Sequence, residues 1–455
     1  MAEARTVSLD DERAPPKRAT EPSLVLVLNA ADPFDPPACI SLKDIDEVSF
    51  GRGPERRTAA IGPRRLRVDL ADAAVSSTHA RLTRAGRDWT IADEQSKNGT
   101  LINGRRVASA ALGPNDLAEL GNSFFLLRRD AAPLQAGPAA MRTLSARLAE
   151  QFHLFARVAR SELPILLSGE TGTGKEMLAR AAHEISGRSG PLIALNCGAI
   201  PEALVESELF GARKGAYSGA HADRPGKVVA AEHGTLFLDE IAELPGSSQA
   251  ALLRVIQDGE VTALGATKSV HVDVRVLAAT HQDLAHAVAL GRFRDDLYAR
   301  LRGHTLVLPP LRARREDIGH LSAELLTRAA GARARALVMQ RAAARALLTY
   351  EWPHNIRELE QVLTRAVALL DGNEIRTEQL PDPIARRAAA ATPSEQAPAE
   401  RAKLLKLLDL HAGNLSAVAR ALTTSRTQVQ RLLARHDIDV AKRRGAGPGD
   451  DDVED

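Results

Sequence analysis

The stretch Gly169-Glu170-Thr171-Gly172-Thr173-Gly174-Lys175-Glu176 decides the fold of this chain. An apolar run at 163–167 precedes it, and a helix-forming segment at 177–182 follows it. At such a strand-to-helix turn, glycines let backbone N–H groups face an anion, and the helix dipole favours negative charge. The spacing predicts a nucleotide site in which Lys175 reaches the β- and γ-phosphates; a glycine-rich turn without a ligand is the alternative. Glu176 replaces the usual Ser or Thr, so a carboxylate elsewhere must bind Mg²⁺.

Composition bounds the class of protein. The chain has 455 residues, which is typical of several domains. A net charge of only +2 means that any nucleic-acid surface must be local. The two cysteines, Cys39 and Cys197, exclude a disulfide framework and a cysteine-rich metal site, as in a reducing cytosol. The polar N-terminus lacks a signal-peptide core and no apolar run could span a bilayer, so we expect a cytoplasmic protein without membrane partners.

The N-terminal part predicts a β-sandwich. Residues 1–22 are polar and are expected to be disordered. Across 23–130, short β-forming runs such as 24–28, 66–70 and 124–127 alternate with Gly, Asn and Asp turns. The loops between them carry groups that could bind a phosphate and a peptide main chain, namely Arg52, Ser76, Ser77 and Asn98.

The order of these loop motifs resembles that of a forkhead-associated (FHA) domain, a reader of phosphothreonine peptides. The resemblance implies that Arg52 and Ser76 contact the phosphate, that Asn98 holds the peptide main chain, and that His79 braces the loop. Ser77 stands where the family often carries a basic residue. For single residues a structural explanation also exists, because Asn-Gly is a turn signal by itself.

The central part, 141–382, follows a predicted linker at 131–140. Its alternating strands and helices predict a parallel sheet with helices on both faces. An apolar strand at 234–238 ends in Asp239 and Glu240, and ligands of such sheets collect beyond the carboxyl ends of the strands. We therefore expect Asp239 to hold Mg²⁺ and Glu240 to polarise the water that attacks ATP. The alternative is that both acids only cap the next helix.

A glycine-flanked loop shows which kind of ATPase this is. It reads Gly215-Ala216-Tyr217-Ser218-Gly219-Ala220 and presents one aromatic side chain, which suits protein contact. With Glu208-Leu209-Phe210-Gly211 before it, the loop resembles the signature loop of AAA+ activators of sigma-54 RNA polymerase. Tyr217 and Ser218 replace the usual Phe and Thr. The resemblance implies sigma-54 contact by this loop and extends through the central domain, with a helical lid from about residue 311.

The same resemblance implies further roles around the nucleotide. Asn196 would hold Glu240 in a restrained position, and His281 would be sensor I, where Asn is frequent. Arg294 and Arg300 would be arginine fingers toward the ATP of a neighbouring subunit in a hexamer, since phosphoryl transfer develops negative charge that a guanidinium neutralises. The alternatives are a strand-end histidine and two surface arginines. In the lid, the resemblance implies that Arg357 is sensor II.

The C-terminal part, 401–440, follows a second predicted linker at 383–400 and predicts two short helices. Ser425 and Gln428 form a capping box for the second helix, whose outer face is polar and basic. This pattern favours a helix-turn-helix and resembles the Fis-type element of sigma-54 activators. The resemblance implies enhancer DNA contacts by Arg426, Thr427, Gln428, Gln430 and Arg431; a dimerisation hairpin is the alternative. The acidic tail 441–455 is expected to be disordered.

Together these patterns predict a three-module activator. It would bind enhancer DNA and ATP with Mg²⁺, assemble as a homo-oligomer, and remodel the sigma-54 RNA polymerase holoenzyme. A phosphothreonine protein or an upstream Ser/Thr kinase would supply the signal. Two alternatives remain at this point: an FHA-anchored AAA+ remodeller of non-transcription proteins, and a phosphopeptide scaffold with a vestigial ATPase.

Overall fold

The computed structural model describes residues 21–216 and 222–391, together with residues 404, 405, 407, 408, 415, 417 and 418. The chain divides into two compact units, the first made of 1–103 and 107–389 and the second of 104–106 and 390–455. Among the helices in these described residues, none combines the length and the apolar character that crossing a membrane requires. Among the described residues of the second unit, the side chains of Leu404, Leu408 and Val418 are buried.

The predicted N-terminal β-sandwich is confirmed. Its strands are β1 (Ser23–Asn29), β2 (Ala38–Ser41), β3 (Glu47–Arg52), β4 (Arg57–Gly62), β5 (Arg65–Leu70), β6 (Ala80–Ala85), β7 (Asp88–Asp93), β8 (Thr100–Ile102), β9 (Arg105–Val107), β10 (Ser109–Ala111), β11 (Leu117–Leu120) and β12 (Ser123–Arg128). One sheet contains β2, β1, β12, β11 and β8 in that order, and the other runs β10-β7-β6-β3-β5-β4. Their facing sides meet at Phe50 and Phe125, whose ring centroids lie 5.5 Å apart.

The predicted parallel sheet of the central domain is also confirmed. The elements are α1 (Ala146–Ala159), β13 (Ile165–Ser168), α2 (Lys175–Ser186), β14 (Leu192–Asn196), α3 (Glu202–Phe210), β15 (Gly211–Ala212), β16 (Arg224–Pro225), α4 (Lys227–Ala230), β17 (Thr235–Asp239), α5 (Gly246–Asp258), β18 (Glu260–Val261), β19 (Val270–His271), β20 (Arg275–Thr280), α6 (Leu284–Ala289), α7 (Asp295–Leu301) and β21 (His304–Val307). The main sheet runs β14-β17-β20-β13-β21 and is parallel throughout.

Burial explains this topology. Strands β17 and β20 have apolar interiors, at 236–238 and 276–279, and are almost entirely buried, as strands covered by helices on both faces must be. Parallel pairing places their carboxyl ends at one edge, with Asn196 opposite Asp239 and Ser168 opposite Thr280. The loops that follow these strands therefore converge on the loop after β13.

The lid is helical. Its elements are α8 (Ile318–Ala330), β22 (Val338–Met339), α9 (Arg341–Thr349), α10 (Asn355–Ala368), β23 (Glu374–Ile375) and α11 (Asp382–Ala391). Helix α11 occupies part of 383–400, where the sequence predicts a linker, so that expectation is wrong for 383–391. The reason is Ile384, which is buried against the lid core.

Candidate nucleotide and phosphopeptide sites

The loop after β13 has the backbone that its glycines predict. Gly172 and Gly174 have φ of +79° and +105°, in the left-handed region. The Gly172 carbonyl accepts a hydrogen bond from the backbone N–H of Ile356 at 2.9 Å. A Cβ at Gly172 would lie 2.2 Å from the carbonyl oxygen of His354, so the lid sits directly on this loop.

Nine of the predicted site residues line one cavity of about 250 Å³. They come from four separate segments: Thr171, Gly172, Gly174, Lys175, Glu176, Asn196, Asp239, Glu240 and Arg357. Lys175 is buried, and its Nζ donates to the carbonyls of Gly169 at 2.8 Å and Glu170 at 3.2 Å. Burial lowers the pKa of Lys175, and the carboxylates of Glu240 and Asp239 oppose that shift. Thr173 lies in the same loop, where its hydroxyl donates to the Glu170 carbonyl.

Asp239 and Glu240 form a pair of acids at the end of β17. Burial, and then the Glu240 charge, raise the pKa of Asp239, while Lys175 lowers it. Two adjacent carboxylates in a partly buried site fit Mg²⁺, which takes one or two carboxylates and completes its shell with water and phosphate oxygens. Glu176 does not extend this set, because its carboxylate pairs with Arg180 one turn along α2 at 2.7 Å.

The partner of Glu240 differs from the expectation. Nδ1 of His281 lies 2.6 Å from Oε2 of Glu240, so the histidine predicted to be sensor I holds the carboxylate. Asn196 instead accepts hydrogen bonds from the backbone N–H groups of Gly198 and Ala199 at 3.0 and 3.1 Å. Within the described chain, the predicted restraint of Glu240 by Asn196 is therefore not formed, because the amide oxygen caps the following turn.

Sequence reasoning missed a second cavity, of about 430 Å³, beside the first. The two share Gly174, Met177, Arg328 and Ile356. Further apolar lining comes from four distant segments and includes Ala140, Phe152, Leu308 and Leu321. An apolar slot next to a phosphate site suits a planar base. Such residues carry no motif, since only the fold brings them together.

Sequence reasoning also missed a polar latch between lid and loop. Asn355 is fully buried at φ +56°, and its Nδ2 donates to Glu170 Oε2 at 3.2 Å and to the Thr171 carbonyl at 3.0 Å. Its Oδ1 accepts from the Leu311 backbone N–H at 2.7 Å. Hydrogen bonds from Arg312, and then Asn355, lower the pKa of Glu170 to about 2. The latch fixes the lid against the phosphate loop.

The FHA-type loops converge at one edge of the sandwich. The Arg52 N–H donates to the Ser76 carbonyl at 2.9 Å, and Ser76 Oγ accepts from the Lys97 N–H at 3.0 Å. Asn98 Nδ2 donates to the carbonyl of Ala74 at 2.7 Å. The guanidinium of Arg52 and the side chains of Ser77 and Asn98 are exposed at this edge, as a peptide surface requires.

The expected bracing histidine has the geometry that the resemblance implies. His79 is fully buried, and its Nδ1 accepts a hydrogen bond from the Ser76 N–H at 3.0 Å. Burial lowers the pKa of His79, which favours the neutral ring that this acceptor role needs. Arg67, which sequence reasoning missed, holds the same loop by donating to the Ser77 carbonyl at 2.6 Å.

Comparisons with known proteins agree with this architecture. Residues 141–307 match the Sigma-54 interaction domain, residues 312–397 the AAA+ ATPase lid domain, and residues 48–121 the FHA domain. The chain is 42% identical over 302 residues to the transcriptional regulatory protein GlrR of Escherichia coli (strain K12), a match that covers 65% of this chain and 67% of GlrR. The chain belongs to the sigma-54 activator family.

Two further proteins are similar to the chain over comparable lengths. ZraR of Klebsiella oxytoca is 45% identical over 291 residues, covering 61% of the chain and 65% of ZraR. A crystal structure of NtrX from Brucella abortus in complex with ADP has a TM-score of 0.49 and 29% identity, and covers 65% of the chain and 69% of NtrX. The chain thus spans about two thirds of the length of these relatives.

The arginines predicted to be fingers do not line the chain's own nucleotide cavity. The guanidinium of Arg294 pairs with Asp296 at 2.7 Å, and Arg300 is exposed on α7. Within the described chain, neither side chain lines the cavity that contains Lys175. Their assignment to a neighbouring subunit stays a prediction.

The loop predicted to contact sigma-54 is described only at its base. Strands β15 and β16 pair there, and an ion pair between Arg213 and Asp223 closes the hairpin. Gly215 has φ +84°, and Ala216 donates its backbone N–H to the Arg213 carbonyl at 3.0 Å. The other predicted contact residues lie outside the described residues: Tyr217, Ser218, Gly219 and Ala220. So do the predicted DNA-contacting residues: Arg426, Thr427, Gln428, Gln430 and Arg431.

Proposed function

We propose that this chain is a sigma-54-dependent transcription activator that hydrolyses ATP in a homo-oligomeric ring and remodels the sigma-54 RNA polymerase holoenzyme into the open complex. One observation carries the proposal: Lys175, Asp239 and Glu240 meet in a single cavity of a Sigma-54 interaction domain. Phosphoryl transfer to water requires a cation at the phosphates, a ligand for the metal ion and a base for the water, and these roles fit Lys175, Asp239 and Glu240 respectively.

ATP binds across the two adjoining cavities. The apolar slot beside Met177 takes the base, and the backbone N–H groups at the start of α2 bind the phosphates. Lys175 exchanges the loop carbonyls for phosphate oxygens, which better match its buried charge. Arg357, on the first turn of α10, reaches the phosphates from the lid.

Hydrolysis follows from the groups at the end of β17. Asp239 would hold Mg²⁺, which would neutralise charge on the phosphate oxygens. Glu240 orients the attacking water and accepts its proton, while its bond to His281 fixes the carboxylate. Arg294 and Arg300 of a neighbouring copy neutralise the charge that develops on the transferred phosphoryl group, which makes turnover depend on assembly.

Input and output lie on the other modules. The loop with Tyr217 engages sigma-54, and the C-terminal helix-turn-helix binds enhancer DNA. The FHA domain reads a phosphothreonine protein through Arg52, Ser76 and Asn98, whose loops converge at one edge of the sandwich. A Ser/Thr kinase upstream would set the level of that signal.

A mixing experiment tests the ring. The Lys175→Ala variant should not hydrolyse ATP but still offers its fingers, whereas the Arg294→Ala variant binds ATP but offers a defective finger. We expect each alone to lose nearly all steady-state ATPase activity and an equimolar mixture to recover part of it. The matched control is Arg386→Ala, which removes an exposed guanidinium paired with Asp382 on α11 and should leave turnover unchanged.

Recovery in the mixture supports hydrolysis between subunits. Retention of full activity by Arg294→Ala, or absence of any recovery while both variants still co-assemble with each other, would contradict the trans arrangement. Loss of ATPase activity in Arg386→Ala would show that removing an exposed arginine elsewhere also abolishes hydrolysis, and the loss in Arg294→Ala would then not support a finger role.

A further inference from the structure

The FHA domain and the lid share an apolar core. Strand β1 is buried on both faces, with Leu24 and Leu26 facing the interior of the sandwich and Val25 and Val27 facing the lid. The same division continues through β12 and β11. The side chains that face the interior of the sandwich are Phe125, Leu127, Ala118 and Leu120. Those that face the lid are Phe124, Leu126 and Leu117. A sheet face this apolar is stable only when it is covered.

The two parts also approach at backbone distance. Gly319 lies in the first turn of α8, and a Cβ there would be 1.8 Å from the carbonyl oxygen of Val27. The Met339 N–H of the lid donates to the Ala30 carbonyl of the FHA domain at 2.7 Å. Such contacts need a glycine and a fixed register, which a transient contact between domains does not.

Two ion pairs fix the register further. Arg345 on α9 binds Glu119 on β11 through two hydrogen bonds of 2.6 and 2.7 Å, with side chains 2% and 0% exposed. Arg128 pairs with Glu316 at 2.8 Å, again with little exposure. A buried charge is tolerated only when it is paired, so sliding or separating this interface is strongly disfavoured.

The phosphopeptide loops are tied to this interface. Asp72, in the loop that leads to Ser76, is buried, and its carboxylate accepts from the backbone N–H of Asn122 at 2.6 Å and from the Asn122 amide at 3.0 Å. The neighbouring Gly121 carbonyl accepts from Arg341, the first residue of α9, at 3.3 Å. Two residues of a tight turn, Asn122 and Gly121, thus separate the peptide loop from a lid helix.

The other end of α9 leads to the nucleotide. The carbonyl of Leu347 accepts from Trp352 Nε1 at 3.0 Å, and Trp352, fully buried, accepts from the Asn355 N–H at 2.8 Å. Asn355 then binds Glu170 and Thr171 of the phosphate loop. A displacement of α9 therefore moves the latch on that loop.

We propose that the FHA domain is docked permanently on the lid and that helix α9 couples peptide binding at Arg52 and Ser76 to nucleotide binding at Lys175. The coupling deepens the proposed function, on whose phosphopeptide reading it rests. It acts within one chain and needs no bridging protein. Coupling between two sites is reciprocal, so nucleotide must affect the peptide loops as much as peptide affects the nucleotide.

Reciprocity allows a test in which the peptide need not be known. The full chain is followed by hydrogen–deuterium exchange with and without saturating ADP. We expect ADP to slow exchange at the phosphate loop and also, by about fivefold or more, at residues 72–79 and 117–123. Arg341→Ala should keep the protection of the phosphate loop and lose that of 72–79. The matched control is Arg376→Ala, whose guanidinium pairs with Glu374 inside the lid.

The outcomes separate the two proposals. Protection confined to the AAA+ residues, or protection of 72–79 that survives in Arg341→Ala, overturns the coupling through α9 and leaves the ATPase assignment standing. Absence of any protection around Lys175 contradicts the nucleotide site and the coupling together. Loss of transmission in the Arg376→Ala control also overturns the route, because that side chain lies away from it.

Discussion

Glu240 has a backbone conformation that few residues other than glycine adopt, with φ +54° directly after the partly buried Asp239. Backbone strain of this kind clusters at functional sites, where the surrounding structure imposes it. Here it turns the carboxylate toward His281 and the nucleotide cavity. Substitution of Glu240 therefore tests the catalytic assignment directly.

We expect Glu240→Gln to lower kcat for ATP by about 10²–10⁴-fold, the usual contribution of a general base. Nucleotide affinity should stay nearly the same, because Lys175 and the phosphate loop are untouched. The measurement pairs steady-state ATPase assays with binding of a fluorescent ADP. Glu243→Gln makes the same change three residues later, where the carboxylate accepts from Gln282, and serves as the control. Equal kcat values for Glu240→Gln and the unsubstituted chain would show that Glu240 is not the general base.

His320 makes stability depend on pH. Burial lowers its pKa to about 4, so in the folded chain the ring stays neutral while an unfolded chain binds a proton below about pH 6.5. Its stabilising effect is complete above that pH and is lost as pH falls toward 4, by at most about 1.4 kcal/mol per unit. We expect the difference in Tm between pH 7 and pH 5 to shrink in His320→Asn. The exposed His153, changed in the same way, should leave that difference unaltered; an unaltered difference in His320→Asn would refute the assignment.

At the scale of elements, the turn from Trp352 to Asn355 joins the lid to the phosphate loop, and both residues have positive φ. Asn355→Ala should raise KM for ATP about tenfold, since buried partners lose their donor at a cost of about 1–3 kcal/mol. Asn355→Gly tolerates the backbone angle but lacks the amide, so it separates strain from hydrogen bonding. Similar KM values for the Gly and Ala variants assign the effect to the amide. A KM of the Ala variant equal to that of the unsubstituted chain would exclude the latch.

Local patterns predicted the elements that obey a period or a motif. The strands at 24–28, 66–70 and 124–127, the loop before α2 and the acids after β17 are found as expected, because strand burial and glycine geometry are local properties. Strand β1 also carried an unused signal. Five consecutive apolar residues predict burial on both faces rather than one, and the second face is the one that packs on the lid.

Contacts between distant segments could not be predicted in this way. The bond from His281 to Glu240 depends on the order of strands in the sheet, and the latch of Asn355 on Glu170 joins residues 185 positions apart. The pairing of Glu119 with Arg345 spans 226 positions. No periodicity records such distances, and the apolar slot for the base arises only when α1, α2 and the lid come together.

At the scale of the whole molecule, the FHA domain and the lid of the ATPase share one apolar core. Because the FHA domain is docked on the lid, we expect peptide binding to the FHA domain to affect nucleotide binding within the same chain. In the proposed function, ATP hydrolysis moves the loop that contains Tyr217 against sigma-54. That output is the claim on which the rest of the account depends.

Open-complex formation tests it most directly. The purified chain is added to sigma-54 RNA polymerase on a promoter carrying upstream DNA that the chain binds, and melted bases are detected by permanganate footprinting. We expect melting that requires ATP and is abolished in both Tyr217→Ala and Glu240→Gln. ATP hydrolysis at the normal rate while the promoter stays closed would contradict the account and favour an FHA-anchored remodeller of other proteins.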